Sequence, residues 1–208
     1  DWLVPAFREM GTLLAKGVTK KDMFLFYLGN EHGGSFKDAK NTLPIAISIG
    51  TQFHHATGIA YSIKQQKKNE AVYTFIGDGG TSEGDFSEAL NFAGVWQVPV
   101  VFTIQNNQYA ISVPVKSQTK SINLAVKSVA FGIPGIKVDG NDFFAMYLAY
   151  KTASEYALAG KGPVLIEAFT YRLGAHTTSD DPSKYRKKEE EAEWALVDPL
   201  IRLERYMR

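Results

Sequence analysis

Two polar stretches carry the residues best suited to chemistry, and both follow apolar runs. The first reads Gly77-Asp78-Gly79-Gly80 after the run at 71–76, and the second places Asn107 after the run at 99–104. If both runs are neighbouring strands of a parallel sheet, a carboxylate and an amide emerge together at its carboxyl edge, where α/β sheets bind ligands. We therefore expect Asp78 and Asn107 to face one crevice.

This combination of groups suits a metal-bridged diphosphate. Magnesium takes hard oxygen ligands from few protein groups and completes its octahedron with water and phosphate oxygens. Gly79 and Gly80 lack Cβ atoms, so their backbone N–H groups can approach a phosphate closely. A helix predicted to begin near Gly84 or Asp85 adds a positive helix end nearby. The alternative is that Asp78 and Asn107 are simply turn-forming residues.

The elements that must position these residues alternate along the chain. Apolar runs predict strands at 71–76, 99–104, 136–138 and 163–169, and helical periodicity predicts helices at 43–64, 86–96 and 142–159. Uniformly apolar strands separated by helices are typical of an α/β fold, an open, mostly parallel sheet with helices on both faces. We expect one domain over residues 1–208, and a solvated helix face at 184–193.

Composition excludes several classes of function. The 208 residues contain 23 Lys and Arg against 22 Asp and Glu, so no charge excess predicts a nucleic acid or membrane partner. The absence of cysteine excludes disulfides and thiolate chemistry. No apolar run reaches the roughly 20 residues of a membrane span, and we expect a cytoplasmic protein. Because the sequence begins with Asp1, flanking sequence is expected beyond it.

The Gly-Asp-Gly motif and the Asn-Asn motif, with Asp78 and Asn107 29 positions apart, together resemble the signature of thiamine diphosphate (ThDP) enzymes. That resemblance implies a ThDP-binding fold, of which this chain would be the diphosphate-binding domain. It also implies that Asp78, the Asn107 amide and the Tyr109 carbonyl bind Mg²⁺. Ile111 would be the apolar wedge that bends the cofactor, and Gly77 would contact it.

Three further segments make the resemblance more specific. The loop at 172–186, with Arg172 and His176, is similar to the active-site loop of α subunits of 2-oxo-acid dehydrogenase E1 components, most of all bacterial pyruvate dehydrogenases. Residues 6–9 contain Arg8, which the family places at the diphosphate. Residues 32–34 and 49–52 lie where the family has cofactor-facing residues, which implies roles for His32 and Ile49.

Elementary chemistry agrees with these assignments. An imidazole can give or take a proton near neutral pH, so His176 and His32 are candidate catalytic residues. Arginine forks bind phosphate in a bidentate manner, so Arg8 and Arg172 are candidate cofactor-binding residues; the alternative is that they hold the active-site loop. His54 lies in a predicted helix and is expected to be structural, as is its neighbour His55.

The resemblance also implies partners. ThDP chemistry needs a carboxylate at the aminopyrimidine ring, and no Glu of this chain takes that place, so an E1 β subunit in an α2β2 heterotetramer should supply it. The substrate would be a 2-oxo acid, and the acceptor a lipoyl group on an E2 acyltransferase. The chain alone should be inactive.

Several alternatives remain open. Pyruvate is the expected substrate, but Glu83 stands where pyruvate enzymes commonly have Gln, so a branched-chain 2-oxo acid or acetoin enzyme is the second choice. A dinucleotide-dependent oxidoreductase is disfavoured because Asp78 in a glycine-rich turn would repel a pyrophosphate without a metal. A catalytically incompetent chain that serves as an assembly partner is the non-enzymatic alternative.

Overall fold

The computed structural model describes all 208 residues and centres on a five-stranded parallel sheet. The strands in chain order are β1 (Trp2–Val4), β2 (Val72–Gly77), β3 (Val100–Asn106), β4 (Tyr109–Ala110), β5 (Val113–Pro114), β6 (Gly135–Asp139) and β7 (Val164–Phe169). The sheet order is β1-β2-β3-β7-β6, and β4 and β5 form a separate antiparallel pair. Gly77 pairs with Gln105, so β2 and β3 end side by side.

Helices cover both faces of this sheet. They are α1 (Met10–Ala15), α2 (Lys20–Tyr27), α3 (Thr51–Gln65), α4 (Gly84–Trp96), α5 (Val115–Gln118), α6 (Phe143–Leu158), α7 (Lys188–Ala195) and α8 (Pro199–Met207). Short 3₁₀ turns occupy Glu31–Gly34, Gly79–Ser82, Ala125–Phe131 and Pro182–Lys184. None of the helices combines the length and the hydropathy that a membrane crossing requires.

Two apolar layers hold the helices on the sheet. On one face, Phe53 of α3 packs against both Phe102 of β3 and Phe86 of α4 in the largest buried cluster. On the other face, the small residues of α6, among them Ala153, lie against Val101 of β3 in a second cluster. The predicted α/β fold, an open parallel sheet with helices on both faces, is confirmed.

The four predicted strands are confirmed, and the helices predicted at 86–96 and 142–159 are α4 and α6 with ends shifted by one or two residues. The helix predicted over 43–64 is wrong in its first third. Gly50 has a φ of +94°, outside the helical region, so α3 begins only at Thr51. Strand β1 escaped prediction because three residues show no periodicity.

The charged tract at 184–193 is not merely a solvated helix face, which corrects that prediction. Arg186 is only 6% exposed, and its guanidinium forms an ion pair with Glu191 at 2.6 Å. Glu190 accepts a hydrogen bond from the Tyr109 hydroxyl at 2.9 Å. Helix α7 is therefore tied to the β4-β5 hairpin and to the preceding loop.

Candidate functional site

A cavity of about 290 Å³ lies at the carboxyl ends of β2 and β3. All predicted site residues except His32 and Arg172 line this cavity: Arg8, Ile49, Gly77, Asp78, Gly79, Gly80, Asn107, Tyr109, Ile111 and His176. They come from segments far apart in the sequence. The cavity is therefore a product of the fold and not of one local loop.

Asp78 is the buried charge at the base of this cavity. Its residue surface is 1% exposed, and its Oδ2 atom has no hydrogen-bond partner. Burial raises the pKa of the Asp78 carboxyl to about 6, although Arg172 and Arg8 oppose the shift. A buried carboxylate oxygen without a hydrogen-bond donor, such as Asp78 Oδ2, destabilises the structure unless a proton or a cation binds it.

Asn107 lies in a tight turn that follows β3. Gln108 has a φ of +75°, and the Asn106 side chain stabilises the turn by accepting hydrogen bonds from the Gln108 backbone N–H at 3.3 Å and from its amide at 3.0 Å. The Asn107 Oδ1 atom receives only a long hydrogen bond of 3.4 Å, from the Tyr109 N–H. Its oxygen therefore keeps capacity for another partner.

Ile111 stands at the tip of the β4-β5 hairpin in a strained conformation. Its φ is +55°, which is a genuine outlier for a β-branched residue, and 55% of its surface is exposed. Such strain persists only where neighbouring contacts enforce it, and it concentrates at binding sites. One contact that holds this residue comes from Arg172, which donates to the Ile111 carbonyl at 2.6 Å.

Arg172 does not line the cavity, so the geometry favours its alternative role of holding the loop over a direct approach to the diphosphate. Its guanidinium is bound behind the hairpin, where it donates to the carbonyls of Tyr109 at 2.9 Å and Ile111, and to the Tyr185 hydroxyl at 3.0 Å. The Tyr109 carbonyl, the predicted third metal ligand, thus already accepts one hydrogen bond. A carbonyl oxygen has two lone pairs, so one remains for a further partner.

The three glycines of the motif are required for different structural reasons. A Cβ atom on Gly79 would lie 2.6 Å from the Ala110 Cβ, and one on Gly80 would collide with the Ile76 side chain. Close packing, and not only access to a ligand, therefore requires these two. A Cβ on Gly77 would meet no protein atom within 4 Å, although Gly77 lines the cavity, so its absence keeps cavity space open.

His176 lines the cavity from the loop that follows β7, and Arg8 contacts it there. The Arg8 Nη2 atom lies 3.0 Å from His176 Nδ1 and 3.2 Å from the His176 carbonyl oxygen. A guanidinium can only donate, so Nδ1 accepts and the ring proton is assigned to Nε2. Burial, followed by the charges of Arg8 and Arg172, lowers the His176 pKa, so the neutral ring is favoured.

Side-chain hydrogen bonds hold the loop that carries His176. Asp180 accepts from the His176 N–H at 2.7 Å and from the Tyr185 hydroxyl at 2.6 Å. Arg186 donates to the carbonyls of Arg172, Leu173 at 2.9 Å and Gly174 at 3.2 Å. The loop is therefore fastened at both ends, with His176 between the fastenings.

His32 lies outside this cavity, contrary to the expected placement beside the cofactor. It is exposed on the turn Glu31–Gly34 and borders a separate surface cleft with Thr19 and Lys37. Its backbone N–H donates to Asn30 Oδ1 at 3.0 Å, which is the contact of an ordinary turn residue. Geometry in this chain gives no support to a catalytic role for His32.

Two supporting residues were missed by the sequence prediction. The Gln118 Nε2 atom donates to the carbonyls of Asp78 at 3.0 Å and Gly79 at 2.9 Å. The Lys127 Nζ atom donates to the carbonyl and hydroxyl of Thr81, each at 2.8 Å. Both act on the Gly-Asp-Gly loop from about 40 positions further along the chain, and no local pattern marks them.

Comparison with known proteins agrees with this geometry. The family described as Dehydrogenase E1 component matches residues 1–208. The chain is 52% identical to the pyruvate dehydrogenase E1 component subunit alpha of Acholeplasma laidlawii over 100% of this chain and 60% of that one. It is 47% identical to the 3-methyl-2-oxobutanoate dehydrogenase subunit alpha of Mycobacterium tuberculosis, again over its whole length and 57% of the relative.

A third relative, the pyruvate dehydrogenase E1 component subunit alpha of Staphylococcus aureus, is 45% identical over the whole chain and 56% of its own length. The chain thus spans about three fifths of the length of the curated relatives it matches. With the match over all of its residues, the chain belongs to the dehydrogenase E1 component family.

Proposed function

We propose that residues 1–208 form the diphosphate-binding domain of an α subunit of a 2-oxo-acid dehydrogenase E1 component, and that the cavity binds ThDP through Mg²⁺. The observation that carries this proposal is the orphaned Oδ2 of Asp78, buried at a cavity that Asn107 also lines. A divalent cation would satisfy that oxygen and reverse the electrostatic penalty that raises the pKa of Asp78.

The donor set fits magnesium rather than a transition metal. Asp78, the Asn107 amide and the Tyr109 carbonyl are all hard oxygen donors, and the residues of the structure include no cluster of three His, Cys, Asp or Glu that could hold a metal without outside ligands. An ion held here would need oxygen ligands from a bound phosphate. Gly77 leaves space for such a group at the cavity wall.

When bound, ThDP supplies the electron sink that decarboxylation of a 2-oxo acid requires. The residues of this chain have simpler tasks. Asp78 and Asn107 hold the metal, and Ile111, fixed by Arg172, presents an apolar side chain to the cofactor. His176 offers a proton at Nε2 because Arg8 occupies Nδ1, so we propose that it donates to or orients the reacting substrate.

We propose that a β subunit completes the site in an α2β2 heterotetramer and that a lipoyl group of an E2 acyltransferase receives the acyl product. No Glu of the described cavity other than Glu83 is available to serve an aminopyrimidine ring. Helix α6 exposes three large apolar side chains of the kind that subunits cover, namely Phe143 by 54%, Tyr147 by 59% and Leu148 by 59%. A cytoplasmic location stays a prediction.

Pyruvate is our first choice of substrate. Two of the three relatives named above are pyruvate enzymes by name, and one of them has the higher identity, 52% against 47% for the 3-methyl-2-oxobutanoate enzyme. Glu83 at the cavity edge keeps branched-chain 2-oxo acids and acetoin as the second choice. A substrate panel on the full-length α/β complex, with an artificial electron acceptor, distinguishes them.

Calorimetric titration of ThDP, with and without Mg²⁺, into the full-length α chain, the β chain and their mixture tests the proposal. We expect binding only with Mg²⁺ and most tightly in the mixture. Binding of NAD in place of ThDP would favour the oxidoreductase alternative, and an α/β complex that binds neither would favour the assembly partner. Decarboxylation of pyruvate by the α chain alone would refute the shared site.

A further inference from the structure

One buried carboxylate lies in the middle of the sheet and takes no part in the site described above. Glu167 on β7 is 0% exposed, and β7 runs between β3 and β6. Its Oε1 accepts a hydrogen bond from the Asn106 amide at 2.7 Å, and its Oε2 accepts from the backbone N–H groups of Leu124 and Ala125, both at 2.8 Å. Each of its oxygens is thus committed to a different part of the chain.

The first branch leads to Asn107. While its amide nitrogen donates to Glu167, the Asn106 Oδ1 atom accepts from Gln108 in the turn with positive φ. Glu167 therefore fixes which way the Asn106 amide faces. That orientation in turn fixes the turn on which Asn107 lies.

The second branch leads to Asp78. Leu124 and Ala125 begin the turn Ala125–Phe131, which carries Lys127. The Lys127 Nζ atom donates to the Thr81 carbonyl and hydroxyl, and the Thr81 hydroxyl donates to the Asp78 carbonyl at 2.8 Å. Contacts among buried or half-buried groups thus connect Glu167 to the Gly-Asp-Gly loop.

We propose that Glu167 is a positioning residue that sets Asp78 and Asn107 relative to each other. The inference rests on the proposed function, because the two residues need a common register only if they share an ion. A buried carboxyl group, even with hydrogen-bond partners, contributes little to stability compared with an apolar residue of similar size. Its three hydrogen bonds to two separate segments point instead to a role in fixing geometry.

The variant Glu167→Gln tests this with almost no change in volume. A glutamine amide has one oxygen and one NH₂ group, so it cannot accept from both branches at once. If the NH₂ group of the introduced glutamine faces Asn106, it meets the Asn106 NH₂ group and two donors oppose each other. If the Asn106 amide then flips to avoid this, its Oδ1 atom no longer accepts from Gln108. If the NH₂ faces Leu124 and Ala125 instead, the branch to Lys127 loses its anchor. One branch is lost in every arrangement.

The experiment measures the Kd of Mg²⁺ at saturating ThDP in the full-length α/β complex. We expect Glu167→Gln to raise this Kd by about tenfold or more, which corresponds to about 1.4 kcal/mol. The matched control is Thr103→Val, also buried, which removes a 2.8 Å hydrogen bond to Tyr150 on the α6 side of β3. Thr103→Val should lower the Tm about as much as Glu167→Gln does, and it should leave the Mg²⁺ Kd within about twofold of the wild-type value.

A second variant covers the case in which Glu167→Gln fails to assemble. Of the two branches, Lys127→Met breaks only the one to Thr81. We expect it to raise the Mg²⁺ Kd by about threefold, because only part of the free energy of the lost hydrogen bond from a charged donor is expressed in metal binding. Assembled variants with wild-type Mg²⁺ affinity, or an equal rise in Thr103→Val, would overturn the positioning role alone. A wild-type complex without Mg²⁺-dependent ThDP binding would overturn the proposed function, and this inference with it.

Discussion

The two sides of the cavity are built by different means. On the sheet side, Asp78 and Asn107 follow adjacent strands whose backbone pairing from Val72–Val100 to Gly77–Gln105 sets their separation. On the loop side, His176 has no backbone ladder and is held by side chains, namely Arg8 and Asp180. The sheet side therefore behaves as a rigid frame, whereas the loop side depends on a few removable contacts.

The pKa shifts on the two sides have opposite signs but the same consequence. Burial raises the pKa of Asp78 to about 6, and burial together with neighbouring arginines lowers the pKa of His176. Both shifts favour the neutral forms, so near and below about pH 6 the unliganded cavity carries less charge than its residues suggest. A bound cation would change this on the sheet side only, because it would keep Asp78 ionised at lower pH.

The largest effect should come from Asp78→Asn, which breaks the sheet side. We expect Mg²⁺-dependent ThDP binding to weaken by about 100-fold or more because the carboxylate ligand is lost. Calorimetry on the full-length α/β complex measures it. Asp181→Asn, an exposed carboxylate on the loop, is the control and should bind normally. Retained tight binding in Asp78→Asn would contradict the metal assignment.

The same variant should stabilise the complex without ligand. The folded-state pKa of Asp78, about 6, exceeds its ordinary value, so its ionised form destabilises the fold above about pH 6, whereas below about pH 4 the group is protonated in both states. The Tm of Asp78→Asn should therefore exceed that of wild type at pH 7.5 and equal it near pH 4. An equal or lower Tm at pH 7.5 would refute the penalty.

The next effect concerns pH on the wild-type protein. If Mg²⁺ binds Asp78 as proposed, it displaces the proton from that group, so the apparent affinity for Mg²⁺ at fixed ThDP should fall by about tenfold for each pH unit below about 6. Titrations between pH 5 and pH 8 measure the slope. A flat profile through pH 6 would show that Asp78 is already ionised in the unliganded protein.

A smaller effect should follow from Arg186→Met, which loosens the loop side. The variant leaves Glu191 unpaired and releases the carbonyls of Leu173 and Gly174. We expect limited proteolysis within the loop at 172–186 to accelerate by about tenfold, which corresponds to a free energy of loop opening that is lower by about 1.4 kcal/mol. The Mg²⁺ Kd should stay within about twofold. Lys184→Met, at an exposed 3.9 Å ion pair, is the control and should change neither.

Arg8→Met sharpens the comparison on the loop side. The Arg8 charge lowers the pKa of His176, so removal of this charge should raise that pKa. The acid limb of the pH dependence of kcat/KM should then shift towards higher pH. NMR of ¹³C-labelled histidine in the unliganded complex measures the shift. Arg202→Met, which breaks ion pairs with Asp139 and Asp142 elsewhere, should leave it unchanged.

The difference between the two sides explains how far prediction from sequence could go. Spacing placed Asp78 and Asn107 correctly because strand ends and register follow from apolar runs. The roles of Arg172 and His32 could not be read in this way. The Arg172 guanidinium donates to carbonyls behind the hairpin, and His32 lies on another surface. Both placements depend on tertiary contacts.

The smallest effect should come from His32→Ala. His32 is exposed, its side chain has no contact with the cavity, and we expect less than about a twofold change in kcat and in ThDP affinity. Steady-state kinetics of the α/β complex measures both. A loss of activity comparable to that of His176→Gln would show that a partner subunit brings a second site to this surface.

The most direct test of the account is the position of the metal. A crystal structure of the full-length α/β complex with ThDP and Mn²⁺, located by its anomalous signal, should show the ion about 2.0–2.3 Å from Asp78 Oδ2 and from the Asn107 amide oxygen. An ion bound elsewhere, or ThDP bound with Asp78 still unpartnered, would contradict the central claim.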